Sequence, residues 1–166
     1  MGIHYFKSSQ VVHAPMDKVW DFFSSPGNLK IITPPEMKFT ILSEVSAEKI
    51  FPGQQIEYFV TPLWNMRVKW ITKISDVCTN EFFIDEQLKG PYKCWEHKHI
   101  FKEIKGGIEM LDEVKYDIGY GIVGDKLLHS FIRRKIETIF SFRNKKITEI
   151  FSTPQSTSID EPHLHQ

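Results

Sequence analysis

The sequence predicts an α+β domain in which a curved antiparallel sheet of seven strands is covered by one long C-terminal helix. Three segments lead to this prediction: a strand-like stretch at 3–12, two-residue hydrophobic periodicity from 37 to 118, and helical periodicity over 122–151. Consecutive strands joined by short turns pair as an antiparallel meander, which twists and curls. A helix about 10 Å wide cannot fill the concave face of such a sheet, so an internal cavity is expected.

Two short helices are expected between the first strand and the rest of the sheet. Pro15 can occupy the first position of a helix, and Asp17 follows in its first turn. Ser25-Pro26 repeats this start signal and predicts a second short helix over 26–32. Pro34 ends that helix, because proline disfavours a helical conformation in the residue before it.

Six further strands are predicted from alternating apolar and polar residues: 38–46, 54–61, 66–76, 80–88, 92–104 and 108–118. Turn signals between them include Pro52-Gly53, Gly90-Pro91 and Gly106-Gly107. If Gly106-Gly107 is a two-residue hairpin loop, residue 105 pairs with residue 108. This register places His99 opposite Val114.

The last helix is predicted from an apolar stripe with helical spacing: Leu128, Ile132, Ile136, Ile139, Phe142 and Ile150. Most basic residues of the segment lie off this stripe and are expected on a solvated flank: Arg133, Arg134, Lys135, Arg143, Lys145 and Lys146. Residues 1–151 are predicted to form a single ligand-binding domain, and the polar segment 152–166 a disordered tail.

Composition narrows the class of partner and the cellular compartment. The 21 basic and 21 acidic residues give a formal net charge of zero, which argues against nucleic acid, since phosphate binding requires a basic surplus. Two cysteines are too few for a disulfide framework and favour the reducing cytoplasm. No apolar run is long enough for a transmembrane helix, so stable membrane insertion is not expected.

The most informative motif is Trp95-x-His97-x-His99-x-Phe101. Successive side chains of a strand point to opposite faces, so these four residues share one face. Buried imidazole nitrogens need hydrogen-bond partners, so this face indicates an interior lined in part by polar groups. Asp112, opposite Phe101 in the predicted register, is an inward carboxylate within reach of His99.

A second inward carboxylate is expected from the preceding strand. The two possible inner rows of that strand are Phe82, Ile84, Glu86 and Leu88, or Phe83, Asp85 and Gln87. Glu86 is favoured, because its row is the more apolar one and fits a two-residue loop at Gly90-Pro91.

Three interpretations of this polar constellation stay open. In the first it is a structural network in which Asp112 holds His99 and Glu86 holds His97. In the second it is the polar end of a ligand cavity and anchors a carbonyl or hydroxyl group. In the third these residues act in catalysis, by abstracting a proton beside a carbonyl, or hold a divalent metal. A lone His-x-His pair is a weak metal signal, so neither a metal nor a cofactor is expected.

The chain also resembles a known superfamily of folds. The motifs that carry the resemblance are Ala14-Pro15 with Val19-Trp20-x-Phe22-Phe23, Asn28-Leu29 with Thr33-Pro34-Pro35, Asp85-Glu86-Gln87 with Gly90-Pro91, Trp95-x-His97-x-His99-x-Phe101, and Asp112-x-Val114-x-Tyr116. Together they resemble the helix-grip superfamily, also called SRPBCC, which includes START domains and the birch-pollen-allergen proteins. The closer resemblance is to small bacterial polyketide cyclase/dehydrase-like proteins, some of them fused to nucleoside-diphosphate-sugar epimerase domains. It implies a helix-grip fold and a ligand cavity.

The function expected from the residues and this resemblance is binding of a small, mostly apolar molecule, such as a lipid or a polyketide-like compound, for transport or sensing. The side chains expected at the ligand are Tyr58, Trp70, Glu86, Trp95, His97, His99, Phe101, Asp112, Tyr116, Leu128 and Ile132. One alternative is an enzyme of the cyclase, dehydratase or aromatase type that uses His97, His99, Asp112 and Glu86. Another is a regulatory or interaction module whose cavity is filled by its own side chains.

Overall fold

The structure, a computed structural model, describes residues 2–42, 49–63, 66–119 and 121–152. Its strands are β1 (Ile3–Val12), β2 (Thr40–Ile41), β3 (Gln55–Leu63), β4 (Met66–Cys78), β5 (Phe82–Lys89), β6 (Cys94–Ile104) and β7 (Gly107–Asp117). Its α-helices are α1 (Met16–Phe23) and α2 (Gly121–Ser152). Two short 3₁₀ helices, Pro26–Lys30 and Pro35–Met37, connect α1 to β2.

All seven strands belong to one antiparallel sheet with the order β1-β7-β6-β5-β4-β3-β2. Strands β2 to β7 follow one another as a meander, and β1 returns to pair with β7 along its full length. The predicted fold class is confirmed: the sheet is curved, and the long C-terminal helix lies on its inner side. None of the helices in the described part of the chain is both long and apolar enough to cross a membrane.

The inner face of the sheet is identified by alternating burial along β7. Ile108, Met110, Asp112, Val114 and Tyr116 are buried, whereas the residues between them are more exposed. This is the two-residue period of a strand with one face in the core and one toward solvent.

Helix α2 buries one stripe of side chains against that inner face. Ile132, Ile136 and Phe140 pack with Val114 and Tyr116 of β7. Each of the two isoleucines is 1% exposed, and full burial of such a side chain contributes about 1.5–3 kcal/mol. The helix is therefore held by tertiary packing, as amphipathic helices generally are.

Several boundaries differ from the sequence prediction. The second short helix is a 3₁₀ helix over Pro26–Lys30 rather than a helix over 26–32, and the Asn28 side chain donates to the Phe22 carbonyl oxygen at 3.0 Å. Of the strand predicted over 38–46, only Thr40–Ile41 is a strand, β2, and 43–48 lie outside the described residues. Residue 152, predicted as the start of the tail, is the last residue of α2, and the rest of the predicted tail lies outside the described residues.

The register predicted for the β6–β7 hairpin is wrong by two residues. The two-residue loop is Lys105-Gly106, and Ile104 pairs with Gly107. Gly106 takes the left-handed turn position with φ +94°, and Gly107 lies within the strand, where a Cβ would come within 2.3 Å of the Val12 carbonyl oxygen. Gly106 is thus required by the backbone conformation of the turn, and Gly107 by the close approach of β1.

The corrected register keeps every side chain on its predicted face, since a slip of two residues preserves the alternation. It changes which residues meet across the strands. His99 pairs with Asp112, His97 with Val114 and Trp95 with Tyr116.

Candidate functional site

Five polar side chains from four elements, four of them buried and one half-buried, meet at the inner face of the sheet. They are Asp85 on β5, His97 and His99 on β6, Asp112 on β7, and Arg143 on α2. We call this group the polar cluster. Strand pairing places Asp85 opposite His97 and Asp112 opposite His99, so the two imidazoles lie between the two carboxylates.

Asp112 is the inner carboxylate of the cluster, and it is 2% exposed. Its Oδ1 accepts a hydrogen bond from His97 Nε2 at 2.9 Å and lies 3.0 Å from His99 Nδ1 and 3.5 Å from Arg143 Nη2. Burial by itself would raise the pKa of this carboxyl, but the Arg143 guanidinium and the bond from His97 hold it well below the usual range. Asp112 is therefore ionised at neutral pH.

Asp85 is the outer carboxylate, with a side chain that is 18% exposed. Its Oδ2 accepts a hydrogen bond from His99 Nε2 at 3.0 Å and lies 3.7 Å from His97 Nδ1. Burial would raise its pKa, but the hydrogen bond from His99, followed by the electrostatic influence of the basic side chains of the cluster, outweighs burial and lowers it. Asp85 is thus a second ionised carboxylate in the same buried group.

The carboxylates fix one proton on each imidazole. His99 Nε2 donates to Asp85 Oδ2 at 3.0 Å, while His99 Nδ1 lies 3.1 Å from Arg143 Nη2 and 3.0 Å from Asp112 Oδ1. His97 donates from Nε2 to Asp112, which leaves the lone pair on Nδ1. Burial, followed by repulsion from His99, lowers the His97 pKa to about 4 despite its carboxylate neighbours. His97 is therefore neutral at pH 7.

The polar cluster forms one wall of an internal cavity of about 190 Å³. Asp85, His97, His99 and Arg143 contribute to this wall, and Asp112 lies behind the imidazoles. The rest of the lining is largely apolar and comes from α1, the 3₁₀ segment, β3, β4 and α2: it includes Phe22, Phe23, Leu29, Ile32, Met37, Phe39, Ile50, Ile56, Val60, Ile74, Ile136 and Phe140.

Four aromatic side chains form a separate part of the cavity wall, which we call the aromatic wall: Tyr58, Trp70, Tyr92 and Trp95. Trp70 meets Trp95 edge to face, with ring centroids 5.6 Å apart and planes at 90°, and stacks with Tyr58 at 6.0 Å. The Tyr58 hydroxyl lies 3.0 Å from the Thr72 hydroxyl. Burial first, and the negative charge of Asp85 to a smaller extent, raise the pKa of Tyr58, which keeps its hydroxyl protonated.

Solved structures with the same architecture put this geometry in context. The chain resembles the Zhui aromatase/cyclase from Streptomyces sp. R1128 with a TM-score of 0.71 and 14% identity, over 91% of this chain and 94% of that one. It resembles Ara h 8.0201 with a TM-score of 0.61 and 13% identity, over 89% and 99%. The chain has the helix-grip fold.

A third helix-grip structure, a nucleoside-diphosphate sugar epimerase from Corynebacterium glutamicum, is matched with a TM-score of 0.59 and 19% identity over 87% of this chain but only 28% of that one. Neither a protein-family model nor a curated protein sequence matches the chain. The resemblance found in the sequence is confirmed as a resemblance of fold, and fold alone does not specify a ligand or a reaction.

Within this helix-grip fold, the side chains proposed as ligand contacts occupy two positions. Five of them line the cavity: Tyr58, Trp70, Trp95, His97 and His99. Among the described residues, the others are not part of its lining: Glu86, Phe101, Asp112, Tyr116, Leu128 and Ile132. Asp112 still acts on the cavity indirectly, because it holds the imidazole of His97.

The inward placement predicted for Glu86 is wrong, and Asp85 takes that position. Glu86 pairs with Glu96 on the outer face, and Leu88 of the expected inner row is 51% exposed. The loop after β5 has four residues, 90–93, instead of two. The Gln87 side chain fixes this loop, since its amide accepts from the Tyr92 N–H and donates to the Tyr92 carbonyl oxygen.

The solvated position predicted for Arg143 is also wrong, because Arg143 is 7% exposed and belongs to the polar cluster. A sequence signal for its burial does exist. Ile136, Phe140 and Ile147 are buried at helical spacing, and position 143 falls on the same stripe. A cation on an apolar stripe indicates a buried anion across the interface.

Asp85, His97 and His99 also form the group best suited to a metal ion, with one ligand atom from each within 4.8 Å of the others. The hydrogen bonds do not fit such an ion as they stand. His99 Nε2, the atom that faces Asp85, carries a proton because it donates to that ionised carboxylate. A metal would require this proton to leave and the Arg143 contact to rearrange.

Proposed function

We propose that this protein binds one small, compact molecule with a mostly apolar body in the cavity between sheet and helix. The observation that carries the proposal is the combination of an aromatic wall with polar atoms that lack protein partners. His97 Nδ1 presents a lone pair that accepts no hydrogen bond from the described residues, and the Trp70 indole N–H has no acceptor among them. Buried polar groups are normally satisfied, so a ligand with a polar group supplies what is missing.

The size of the cavity favours a mono- or bicyclic molecule over a long lipid. A cavity of about 150 Å³ in another protein binds benzene, and this one measures about 190 Å³. A compact aromatic or polyketide-like molecule suits this volume, whereas an extended acyl chain does not. The cytoplasmic location expected from composition belongs to the same proposal, and Cys78 and Cys94 are free thiols.

The proposal is tested with 2-naphthol, a bicyclic molecule with one hydroxyl donor, by calorimetry and by quenching of tryptophan fluorescence. We expect one site per chain. His97→Gln can still donate to Asp112 but places no acceptor at the Nδ1 position, so affinity should fall about fivefold, the worth of one uncharged hydrogen bond.

The matched control is His13→Gln, on an exposed residue away from the cavity, which should leave affinity unchanged. Absence of saturable binding to the folded protein would refute the proposal. The interpretation as an interaction module with a filled cavity would then be favoured.

A second candidate function, proton abstraction as in cyclases and dehydratases, is favoured by one observation. The Asp112–His97 pair is arranged like a general base, with the carboxylate holding one nitrogen and the other nitrogen facing the cavity. Two features weigh against it: a pKa lowered to about 4 makes His97 a weak base, and the nearby Asp85 charge would oppose an enolate. We therefore rank binding first.

The two functions are separated with 2-tetralone, whose α-hydrogens exchange with deuterium when a base abstracts them. Exchange measured by NMR in D₂O should proceed at the buffer rate if the protein only binds. Protein-accelerated exchange that is abolished by His97→Gln would establish the catalytic function instead.

A further inference from the structure

The polar cluster contains more carboxylates than guanidinium groups. Asp85 and Asp112 accompany a single guanidinium, that of Arg143, and burial keeps His97 neutral by lowering its pKa to about 4. The carboxylates therefore outnumber the guanidinium by one. Asp85 and Arg143 are the charged side chains among the described residues that line the cavity, so the lining itself adds no further cation.

This negative charge is available to the cavity through Asp85. The Asp85 side chain is 18% exposed, compared with 7% for His97, 5% for His99, 3% for Asp112 and 8% for Arg143. Only its Oδ2 takes part in the contacts to the histidines, so Oδ1 is without a partner among the described residues. Arg143 also lines the cavity, but its side chain is less exposed than that of Asp85 and its Nη2 contacts His99 and Asp112.

The aromatic wall lies next to this carboxylate. Trp95 is two residues from His97 on the inner face of β6, and Asp85 pairs with His97. Tyr92 and Trp70 lie against Trp95, with ring centroids 4.9 and 5.6 Å away. Electron-rich ring faces beside a carboxylate are a favourable environment for an organic cation, which gains cation–π attraction in addition to ion pairing.

We propose that the ligand of this cavity carries a protonated amine, which lies between Asp85 and the aromatic wall while its apolar body fills the remaining volume. The inference rests on the proposed function and adds the charge of the ligand. An amine supplies the missing positive charge and donates to Asp85 Oδ1 and His97 Nδ1. A carboxylate ligand would place a second negative charge beside Asp85 and should bind more weakly.

Three probes with the same indole body test the sign of the charge: tryptamine, tryptophol and indole-3-acetate. We expect tryptamine to bind at least tenfold more tightly than neutral tryptophol at pH 7, and indole-3-acetate to bind more weakly than both. Asp85→Asn keeps an acceptor for His99 and should reduce tryptamine affinity at least tenfold while leaving tryptophol affinity within twofold. The control Asp76→Asn removes an exposed carboxylate from β4 and should change neither value.

Each alternative result decides a different point. Tryptophol binding as tightly as tryptamine would refute the amine and leave the proposed function in place. If none of the three indole probes binds while 2-naphthol still does, the proposal of an amine ligand is also refuted. If 2-naphthol does not bind either, the proposed function itself is refuted. Saturable Zn²⁺ binding that competes with tryptamine and is lost in His99→Ala would assign the missing charge to a metal ion and overturn the inference.

Discussion

Arg143→Met should destabilise the protein strongly, although the substituted residue lies on a helix and keeps an apolar stem. Arg143 is 7% exposed, and its Nη2 lies 3.5 Å from Asp112 Oδ1 and 3.1 Å from His99 Nδ1. Without it, the two carboxylates of the cluster lose their guanidinium. Removing one partner from a buried ion pair costs about 3–5 kcal/mol, a large share of the roughly 5–15 kcal/mol by which a domain is stable.

The loss should also depend on pH, with a sign that identifies its cause. In the parent protein the Asp112 pKa is lowered, so this group stabilises the fold above its unfolded pKa and the contribution disappears as pH falls through the folded value. Without Arg143, the largest influence that opposes burial is lost, and the carboxyl pKa rises. A carboxyl with a raised pKa stabilises the fold more as pH falls, so the deficit of Arg143→Met should be smaller at pH 5 than at pH 7.

Urea unfolding at the two pH values measures both effects. The control Arg134→Met, on the exposed side of the same helix, should change the free energy of unfolding by less than about 0.5 kcal/mol. Adding Asp112→Asn to Arg143→Met should recover part of the loss, because one unpaired charge is removed. A loss no larger than that of the control, or equal at both pH values, would refute the charge balance described for the cluster.

Three further predictions concern the same region and the adjoining hairpin. Elemental analysis of the purified protein should find no stoichiometric zinc, iron or manganese, and one metal per chain that disappears in His99→Ala would contradict this. Because the His97 pKa is lowered to about 4, the unfolded state binds more protons than the folded state between pH 6.5 and 4. The free energy of unfolding should therefore fall by about 3 kcal/mol as the pH is lowered from 6.5 to 4. In urea titrations His97→Gln should lack most of this pH dependence, and an unchanged dependence would refute the lowered pKa of His97. In Gly107→Ala the added Cβ would lie 2.3 Å from the Val12 carbonyl oxygen, so the free energy of unfolding should fall by about 2–3 kcal/mol. Gly106→Ala should lower it by about 1 kcal/mol. Equal melting temperatures for the two variants would contradict the hairpin register.

The parts of the fold that depend on local periodicity could be predicted from the sequence. Alternation along β6 placed Trp95, His97, His99 and Phe101 on one face, and the structure confirms that face because burial alternates in the same phase. The helical spacing of Ile132 and Ile136 likewise predicted the buried side of α2. Both predictions tolerate errors of register, since a shift of two residues leaves the inner and outer faces unchanged.

The second carboxylate could not be predicted, because β5 carries aromatic side chains on both faces. Phe83 is 6% exposed on the inner face, and Phe82 lies under the Lys98 ammonium on the outer face, 4.6 Å from it. Hydrophobicity therefore does not distinguish the two phases of this strand. The Lys98 ammonium covers the Phe82 ring on the outer face, so this aromatic side chain does not need the buried position that the hydrophobic pattern assigns to it.

Arg143 shows a different limit of the sequence pattern. Its partners, His99 and Asp112, are 44 and 31 residues away along the chain, and their meeting depends on how α2 lies across the sheet. A basic residue within a helix rich in lysine and arginine is ordinarily solvated. Its position on the apolar stripe is the only sequence feature that distinguishes Arg143 from the other basic residues of the helix. That position indicates burial only if a buried carboxylate is known to face the stripe.

The composition of the polar cluster supports function more than stability. Buried ion clusters are often no more stable than apolar side chains of the same volume, and replacing them can stabilise a protein. Sheet and helix here already share an apolar interface through Ile132, Ile136 and Phe140, so the fold does not require charges at this place. Asp85 and Arg143 both line the cavity, but the Asp85 side chain is 18% exposed and that of Arg143 only 8%. This difference in exposure has no value for packing, but it fits the proposed ligand, whose amine would bind to Asp85.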